Sequence, residues 1–293
     1  MLKGSYVALV TPFNNDGSIN YDKLKDLIEY HISNNTAGLV ILGTTGEATT
    51  ISLEEQIEVV KFSLEVINKR VPVMIGSGSN DTYKSCKLSK TFSDMGADYL
   101  LVVTPYYNKT NTPGLIKHFE MIADSSSCPI VLYNVPARTG MNIPFEAYEV
   151  LSKHPNIVGV KEASGNMEYT KKVSEYLSDD FVMLSGNDDI IVDMMKLGAK
   201  GVISVLANIA PKNTQAMCDY ALANEYDKAY DLQNKLLAVA DSLFYETNPI
   251  PVKAALNHLG FGVGGYRMPL YEMSLEPYNK MVNVLDSNKE YIE

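Results

Sequence analysis

The sequence predicts an α/β fold, a (β/α)8 TIM barrel that carries a helical C-terminal extension. The first observation is a series of eight short apolar segments, as expected for parallel strands buried on both faces. The second is that amphipathic segments with a helical period separate them, which is the alternation of an α/β barrel. The predicted strands are residues 6–10, 38–42, 71–75, 99–103, 130–134, 157–161, 181–186 and 201–204.

The helical segments are clearest at residues 21–30 and 53–66, where apolar side chains recur on one stripe. Ser52, followed by Glu55, predicts a capping box at the start of the second of these helices. A doubly wound open sheet is the alternative fold. It is disfavoured because no Gly-x-Gly-x-x-Gly sequence follows an early predicted strand.

The chain changes character beyond about residue 210, where two helical patterns follow one another with no strand between them. Pro249-Ile250-Pro251 and a glycine-rich stretch at 260–265 are expected to interrupt the remainder of the chain. We therefore predict a catalytic barrel over residues 1–223 and a helical domain packed on it over residues 224–293.

Composition and charge exclude several classes of protein. Apolar residues make up 46% of the 293 residues and charged residues 20%, which is typical of a globular protein. The formal net charge of −10, without a basic cluster, argues against nucleic-acid partners. No apolar run approaches the length of a membrane span, so no membrane partner is expected.

The cysteines and histidines indicate the compartment and the absence of a metal site. Three widely spaced cysteines, with no secretory signal visible before them, are typical of reduced thiols in a cytoplasmic protein. The four histidines show no metal-ligand spacing. We therefore expect a cytoplasmic protein without a metal.

The chain is organised around residues 157–165, an apolar run interrupted by Lys161. A lysine here is notable because burying an ammonium is costly, and because the carboxyl ends of barrel strands form the mouth where chemistry sits. Alternation predicts that Lys161, Gly159 and Ile157 point into the barrel, whereas Val158 faces the helices. Gly159 is expected to leave space beneath Lys161.

Other polar residues are predicted to meet Lys161 at this mouth. Neutral lysine attacks a carbonyl to give a Schiff base, and Tyr133, on the neighbouring strand, is placed to carry the proton that loss of water requires. The Gly43-Thr44-Thr45-Gly46 turn offers N–H groups and hydroxyls to a carboxylate. Arg138 offers a second, bidentate carboxylate site. These residues predict a keto acid bound at Lys161 and a second anionic substrate at Arg138.

Each of these residues also has an ordinary structural explanation. Lys161 could be the solvated end of a strand, and the Gly-Thr-Thr-Gly turn could serve chain reversal alone. Tyr106-Tyr107 could be a packing or interface patch. Arg138 could form a surface ion pair. The functional interpretation depends on their convergence at one mouth.

Three motifs resemble those of the dihydrodipicolinate synthase family of pyruvate-dependent class I aldolases, at residues 43–47, 133–140 and 160–165. The resemblance runs in order from Gly4 to at least Asn257. It implies a lyase of lysine and diaminopimelate biosynthesis that condenses pyruvate with aspartate semialdehyde. It further implies no cofactor beyond the lysine Schiff base, and a homotetramer built as a dimer of tight dimers.

The resemblance also implies the roles of individual residues. Lys161 would carry pyruvate, and the proton relay would comprise Thr44, Tyr133 and Tyr107, with Tyr107 lent by the adjacent subunit. The implied substrate-binding residues are Thr45 for the pyruvate carboxylate, Arg138 for the carboxylate of aspartate semialdehyde, and Gly186 and Ile203 for lining the pocket.

One departure from the family concerns feedback inhibition. Many bacterial members bind lysine at the dimer interface, but here Lys84 stands where a ligating glutamate is expected, and Leu53 and Gln56 replace histidines. Lys84 would repel the ammonium of a lysine ligand, so we expect weak or absent inhibition. Half-inhibition at sub-millimolar lysine would contradict this. The other matching positions are Ala48, Thr49, Asn80 and Tyr106.

Two alternative functions stay open. An N-acetylneuraminate or keto-sugar-acid lyase of the same superfamily keeps the lysine and tyrosine but differs near the second substrate, where Arg138 favours a carboxylate. A non-catalytic sensor that binds a small keto acid is the other alternative. A sensor has no need of the proton relay that Thr44, Tyr107 and Tyr133 would form.

Overall fold

The computed structural model describes residues 2–292, and within them eight parallel strands close into a barrel in chain order. The predicted fold class is therefore confirmed. Because all eight strands run in parallel, their carboxyl ends meet at one mouth. The strands are β1 (Gly4–Ala8), β2 (Gly38–Ile41), β3 (Val73–Gly76), β4 (Tyr99–Val103), β5 (Ile130–Asn134), β6 (Ile157–Glu162), β7 (Val182–Ser185) and β8 (Gly201–Ser204).

Thirteen α-helices lie in the same described residues, and the capping box predicted at Ser52 is present at the start of the second. The helices are α1 (Tyr21–Ser33), α2 (Leu53–Ile67), α3 (Thr82–Asp94), α4 (Thr112–Ser125), α5 (Pro136–Thr139), α6 (Phe145–Leu151), α7 (Met167–Val173), α8 (Ile191–Lys196), α9 (Pro211–Leu222), α10 (Tyr226–Ser242), α11 (Ile250–His258), α12 (Leu275–Ser287) and α13 (Lys289–Ile292).

Three strands begin elsewhere than predicted, and one of them, β7, differs by a single residue, beginning at Val182 instead of Phe181. β1 begins at Gly4 because Gly4 and Gly201 pair closely, and a Cβ on Gly201 would lie 2.0 Å from the Gly4 carbonyl oxygen. Val71 and Pro72 precede β3 rather than opening it, since proline has no N–H to donate to a sheet.

The apolar side chains form two layers on either side of the barrel wall. The inner cluster fills the barrel and includes Tyr6, Val131 and Tyr133, so the predicted inward direction of the last two is confirmed. The outer cluster packs the strands against the helices. Gly38 makes room for the inner cluster, since a Cβ there would lie 2.2 Å from the Tyr6 ring.

A bulge in β6 changes the side-chain directions at the start of that strand. Ile130 of β5 pairs with Ile157, but Val131 pairs with Gly159, which leaves Val158 as the extra residue. The prediction that Ile157 points inward and Val158 outward is therefore wrong. Ile157 is buried in the outer cluster and Val158 packs against the inner one.

The space expected at Gly159 is also absent. A Cβ on Gly159 would lie 2.3 Å from the carbonyl oxygen of Val182 on β7. Gly159 therefore lets the backbones of β6 and β7 approach one another, and it leaves no room for the stem of Lys161.

The C-terminal helices pack on the barrel side by side. α9 contacts β1, α10 contacts α9, and α12 contacts both α10 and α11. The prolines expected to interrupt this region instead open α11, because Pro251 lies in the first turn, where a missing N–H costs no hydrogen bond. The division into residues 1–223 and 224–293 stays a prediction. No helix of the described chain is long and apolar enough to cross a membrane.

Candidate active site

A cavity of about 800 Å³ opens at the carboxyl ends of the strands. Its wall contains residues from the ends of β2, β5, β6 and β7. Its rim contains residues 240, 241 and 244–248, from the end of α10 and the segment beyond it. Predicted site residues on this wall are Thr44, Thr45, Tyr133, Arg138, Lys161 and Gly186. The barrel therefore gathers six of the eight predicted residues around one space.

Lys161 points into this cavity from β6 and is only 6% exposed. It pairs in register with Tyr133 of β5, and its Nζ lies 4.5 Å from the centroid of the Tyr133 ring. The bulge at the start of β6 lies before these residues, so the alternation that predicted their proximity holds at the mouth. An amine and a phenol thus face the same space.

The turn after β2 presents Thr44 at the cavity surface and buries Thr45. Thr45 Oγ1 accepts a hydrogen bond of 3.0 Å from Asn248 Nδ2. The turn is bracketed by Leu42 and Glu47, whose φ angles of +56° and +55° lie in the left-handed region that side chains rarely adopt. Such a backbone persists only where surrounding contacts enforce it.

Arg138 lies on the short helix α5 beside the mouth and is exposed. Its Nη2 donates a hydrogen bond of 2.8 Å to the backbone oxygen of Asn248. Asn248 therefore contacts both Arg138 and Thr45, and connects the two predicted anion sites. Sequence reasoning missed this residue, since a polar side chain before a proline is no signal of an active site.

Gly186 follows β7 and lies against the side chain of Lys161. A Cβ at this position would lie 2.5 Å from Ala163 Cβ and 3.0 Å from Lys161 Cε. Ile203, by contrast, is fully buried in the inner cluster beneath the mouth and is not part of the cavity wall. It packs the barrel interior that supports the site.

Tyr107 lies outside the cavity of its own chain. It is 93% exposed, and its φ angle of +71° is unfavourable for a bulky side chain. Its neighbour Tyr106 is half-buried. An aromatic side chain held outward on a strained backbone suits contact with another molecule better than packing within the chain.

A buried network connects the loops after β5 and β6. Asn134 Nδ2 donates to Glu162 Oε2 at 2.8 Å, and Glu162 Oε1 accepts from the backbone N of Ser164 at 2.6 Å. Asn134 Oδ1 accepts from the backbone N of Ile143. Burial raises the pKa of Glu162, although these hydrogen bonds oppose the shift. Glu162 thus supports the loop behind Lys161.

Asp188 is a buried carboxylate on the cavity wall that sequence reasoning also missed. Its Oδ2 accepts hydrogen bonds of 2.9 Å from the backbone N of Val205 and of Leu206, whereas Oδ1 has no partner in the described structure. Burial raises the pKa of Asp188. The sequence did contain a signal for Asp188, because the acidic pair Asp188-Asp189 follows closely after a predicted strand.

A search for metal ligands within residues 2–292 finds no group of three or more His, Cys, Asp or Glu side chains that could hold an ion. The cavity instead offers an amine, a phenol, hydroxyls and a guanidinium, contributed by Lys161, Tyr133, Thr44, Thr45 and Arg138. This set suits covalent chemistry on a carbonyl compound that bears a carboxylate.

Comparison with known proteins agrees with this chemistry. Residues 1–288 match the model of the dihydrodipicolinate synthetase family. The chain belongs to this family. The resemblance seen in the motifs, and the prediction of an enzyme of this family, are therefore confirmed.

Members of the dihydrodipicolinate synthetase family are similar along nearly the whole chain. The 4-hydroxy-tetrahydrodipicolinate synthase of Clostridium perfringens strain SM101 is 50% identical over 273 residues, covering 93% of this chain and 94% of that protein. The chloride-inhibited dihydrodipicolinate synthase from Acinetobacter baumannii, solved in complex with pyruvate, is 41% identical with a TM-score of 0.96, covering 99% of both chains. A second structure, of the first monomeric dihydrodipicolinate synthase variant, is 37% identical with a TM-score of 0.95, covering 98% of this chain and 97% of that one.

Proposed function

We propose that this chain is a 4-hydroxy-tetrahydrodipicolinate synthase that condenses pyruvate with L-aspartate 4-semialdehyde. The observation that carries the proposal is the buried Lys161 amine beside the Tyr133 ring, in a cavity that also holds two separate groups for anions. The name borne by the relatives agrees with it.

The first half-reaction joins pyruvate to Lys161. The neutral amine adds to the keto carbon, and the carbinolamine loses water to give an imine. Thr44 and Thr45 hold the pyruvate carboxylate through their hydroxyls and the N–H groups of the turn. Loss of a proton from the methyl carbon then gives the enamine, which is the nucleophile of the second half-reaction.

The second half-reaction forms the carbon–carbon bond. The enamine carbon attacks the aldehyde carbon of aspartate semialdehyde, whose carboxylate is held by Arg138. The aldehyde oxygen takes up a proton and becomes a hydroxyl. The substrate amine then attacks the imine carbon, closes the ring and releases Lys161 as a free amine.

These steps need a group that moves protons close to Lys161. We assign this role to Tyr133, with Thr44 beside it and Tyr107 of an adjacent subunit completing the relay. Support comes from the 4.5 Å approach of Lys161 to the Tyr133 ring and from the outward, strained placement of Tyr107. The proposal therefore includes a tight dimer, and we extend it to the homotetramer of two such dimers that the family resemblance implies.

Reduction of the imine tests the covalent step directly. Incubation with pyruvate and borohydride is expected to add the mass of one reduced pyruvate to the peptide that contains Lys161, and to abolish activity. A Lys161→Ala variant is the control. Absence of the adduct on the wild-type protein would overturn both this proposal and the alternative lyase.

Turnover then distinguishes the substrates. We expect condensation with aspartate semialdehyde and no cleavage of N-acetylneuraminate, because Arg138 provides a guanidinium at the second site. Arg138→Ala is expected to raise the KM for aspartate semialdehyde while the trapping of pyruvate is retained. Preferred cleavage of a keto-sugar acid would assign the chain to the lyase branch, and trapping without any turnover would indicate a sensor.

A further inference from the structure

A buried ion pair lies next to the Gly43-Thr44-Thr45-Gly46 turn and outside the cavity wall. Lys253 of α11 and Glu47 are joined by a contact of 2.7 Å between Nζ and Oε1, and both side chains are fully buried. The pair connects positions 206 residues apart in the chain. Neither residue lines the cavity.

Both charged groups are fully engaged by their surroundings. Lys253 Nζ also donates to the Thr11 carbonyl oxygen at 3.0 Å and lies 4.2 Å from the centroid of the Phe13 ring. Glu47 Oε2 accepts from the backbone N of Arg267 at 3.1 Å. Burial lowers the pKa of Lys253, and the charge of Glu47 opposes that shift.

The pair contacts the turn at one of its two residues with a left-handed backbone. Glu47 closes the turn with a φ of +55°, and its backbone N donates to the Thr44 carbonyl oxygen at 3.1 Å. On the other side, Thr11 Oγ1 donates to the Gly46 carbonyl oxygen at 2.7 Å. Lys253 therefore contacts both Glu47 and Thr11. These two residues in turn form hydrogen bonds to Thr44 and Gly46 of the turn.

A purely stabilising role does not account for this arrangement. Replacing both members of a buried ion pair with uncharged residues is often neutral or stabilising, because the desolvation of two charges offsets their attraction. An ion pair does, however, impose a direction and a distance on the groups that it joins. Glu47 needs such a constraint, since its backbone conformation is intrinsically unfavourable.

We propose that the Lys253–Glu47 ion pair positions the Thr44–Thr45 turn for binding the carboxylate of pyruvate. The inference rests on the proposed function, because it assigns the pyruvate carboxylate to this turn. Glu47 and Lys253 are positioning residues that do not touch the substrate, and they act through the backbone between residues 44 and 47.

The test measures the pyruvate concentration for half-maximal borohydride trapping on Lys161, together with the melting temperature. Glu47→Gln keeps the shape of the side chain, Lys253→Met removes the cation, and the double variant removes both charges. We expect each of the three to raise the half-saturating pyruvate concentration at least about tenfold, as expected for misplaced binding groups. The double variant is expected to recover most of the melting temperature lost by Lys253→Met.

The control separates positioning from general instability. Ile122→Ala opens a cavity near the C-terminal end of α4, at the opposite end of the barrel from the mouth. It is expected to lower the melting temperature while the half-saturating pyruvate concentration stays within about twofold of wild type.

Each outcome is decisive. A folded double variant, or a folded Glu47→Gln variant, that is trapped at the wild-type pyruvate concentration overturns the positioning role. A raised concentration in the thermally recovered double variant supports it, since loss of stability no longer explains the weaker binding. Absence of any adduct on the wild-type protein overturns the proposed function and, with it, this inference.

Discussion

Lys161 occupies a site whose size is limited by Gly186, the glycine that directly follows the next strand, β7. The stem of the lysine passes Gly186, where a Cβ would lie 3.0 Å from Cε and 2.5 Å from Ala163 Cβ. Ala163 belongs to the same loop that Glu162 holds through Ser164. The Lys161 side chain can therefore point its amine in few directions.

Gly186→Ala is accordingly expected to lower kcat/KM about a hundredfold, because a reacting group displaced by about 1 Å loses that much rate. The measurement is steady-state turnover, with pyruvate trapping as a second observable. Gly265→Ala is the matched control, since a Cβ there meets no atom of the described residues within 4 Å. Equal activity of both variants would show that the lysine adjusts without cost.

Strand alternation was sufficient to predict the proximity of the two residues at the mouth that lie beyond the β6 bulge. Lys161 and Tyr133 lie on adjacent strands, and a period of two placed them side by side. Asn248 and Lys253 were not predictable, because they reach the turn after β2 across more than 200 residues, from α11 and the segment that precedes it. Neither alternation nor motif spacing specifies which turn such a helix approaches.

At the scale of elements, the presence of each strand was predicted better than its first residue and its side-chain directions. The bulge in β6 inverted the directions of Ile157 and Val158, since an inserted residue shifts the period by one and leaves no mark in an apolar run. The prolines at 249 and 251 open α11 instead of interrupting the chain. The sequence alone does not distinguish a proline in the first turn of a helix from a proline in a loop, because the difference depends on whether the residues after it form a helix.

Two helices bury histidines whose protonation opposes folding. His31 on α1 is completely buried, neither ring nitrogen has a hydrogen-bond partner among residues 2–292, and burial lowers its pKa to about 3. Burial likewise lowers the pKa of His118 on α4 to about 4. Between these values and the ordinary pKa of 6.5, the unfolded chain binds more protons than the folded one.

The free energy of unfolding is therefore expected to fall as the pH decreases from about 6.5 towards 4, by about 1 kcal/mol per pH unit for each histidine. Urea denaturation at pH 7, 6 and 5 measures this slope. His31→Leu should reduce it by the contribution of one group. An unaltered slope in His31→Leu would exclude His31 as a source.

At the scale of the whole molecule, one chain leaves its proposed relay incomplete. Tyr107 is 93% exposed and lies away from the cavity that contains Lys161 and Tyr133. A two-fold dimer with the same surface on both subunits would let each chain lend this residue to the other. Shared active sites of this kind can be tested without a structure of the assembly.

Mixing subunits provides that test. Lys161→Ala and Tyr107→Phe chains, each of low activity alone, are expected to give about one quarter of wild-type activity after random reassociation, because each mixed two-fold dimer contains one complete site. Lys161→Ala mixed with Tyr133→Phe should give no recovery, since those two residues serve the same site of the same chain. Mixtures no more active than their parents would place Tyr107 outside the reaction.

The contact of α11 with the turn after β2 also has a consequence for the order of synthesis. All eight strands are present once residue 204 has been made, yet the cation for Glu47 is residue 253. At about 5–20 residues per second, the 49 intervening residues take about 2–10 s to translate. A nascent barrel in that interval contains Lys161, the proposed nucleophile, but Lys253 is not yet present to hold the Thr44–Thr45 turn proposed to bind the carboxylate. Capacity to bind pyruvate is thus expected to arise late, near the completion of each new chain.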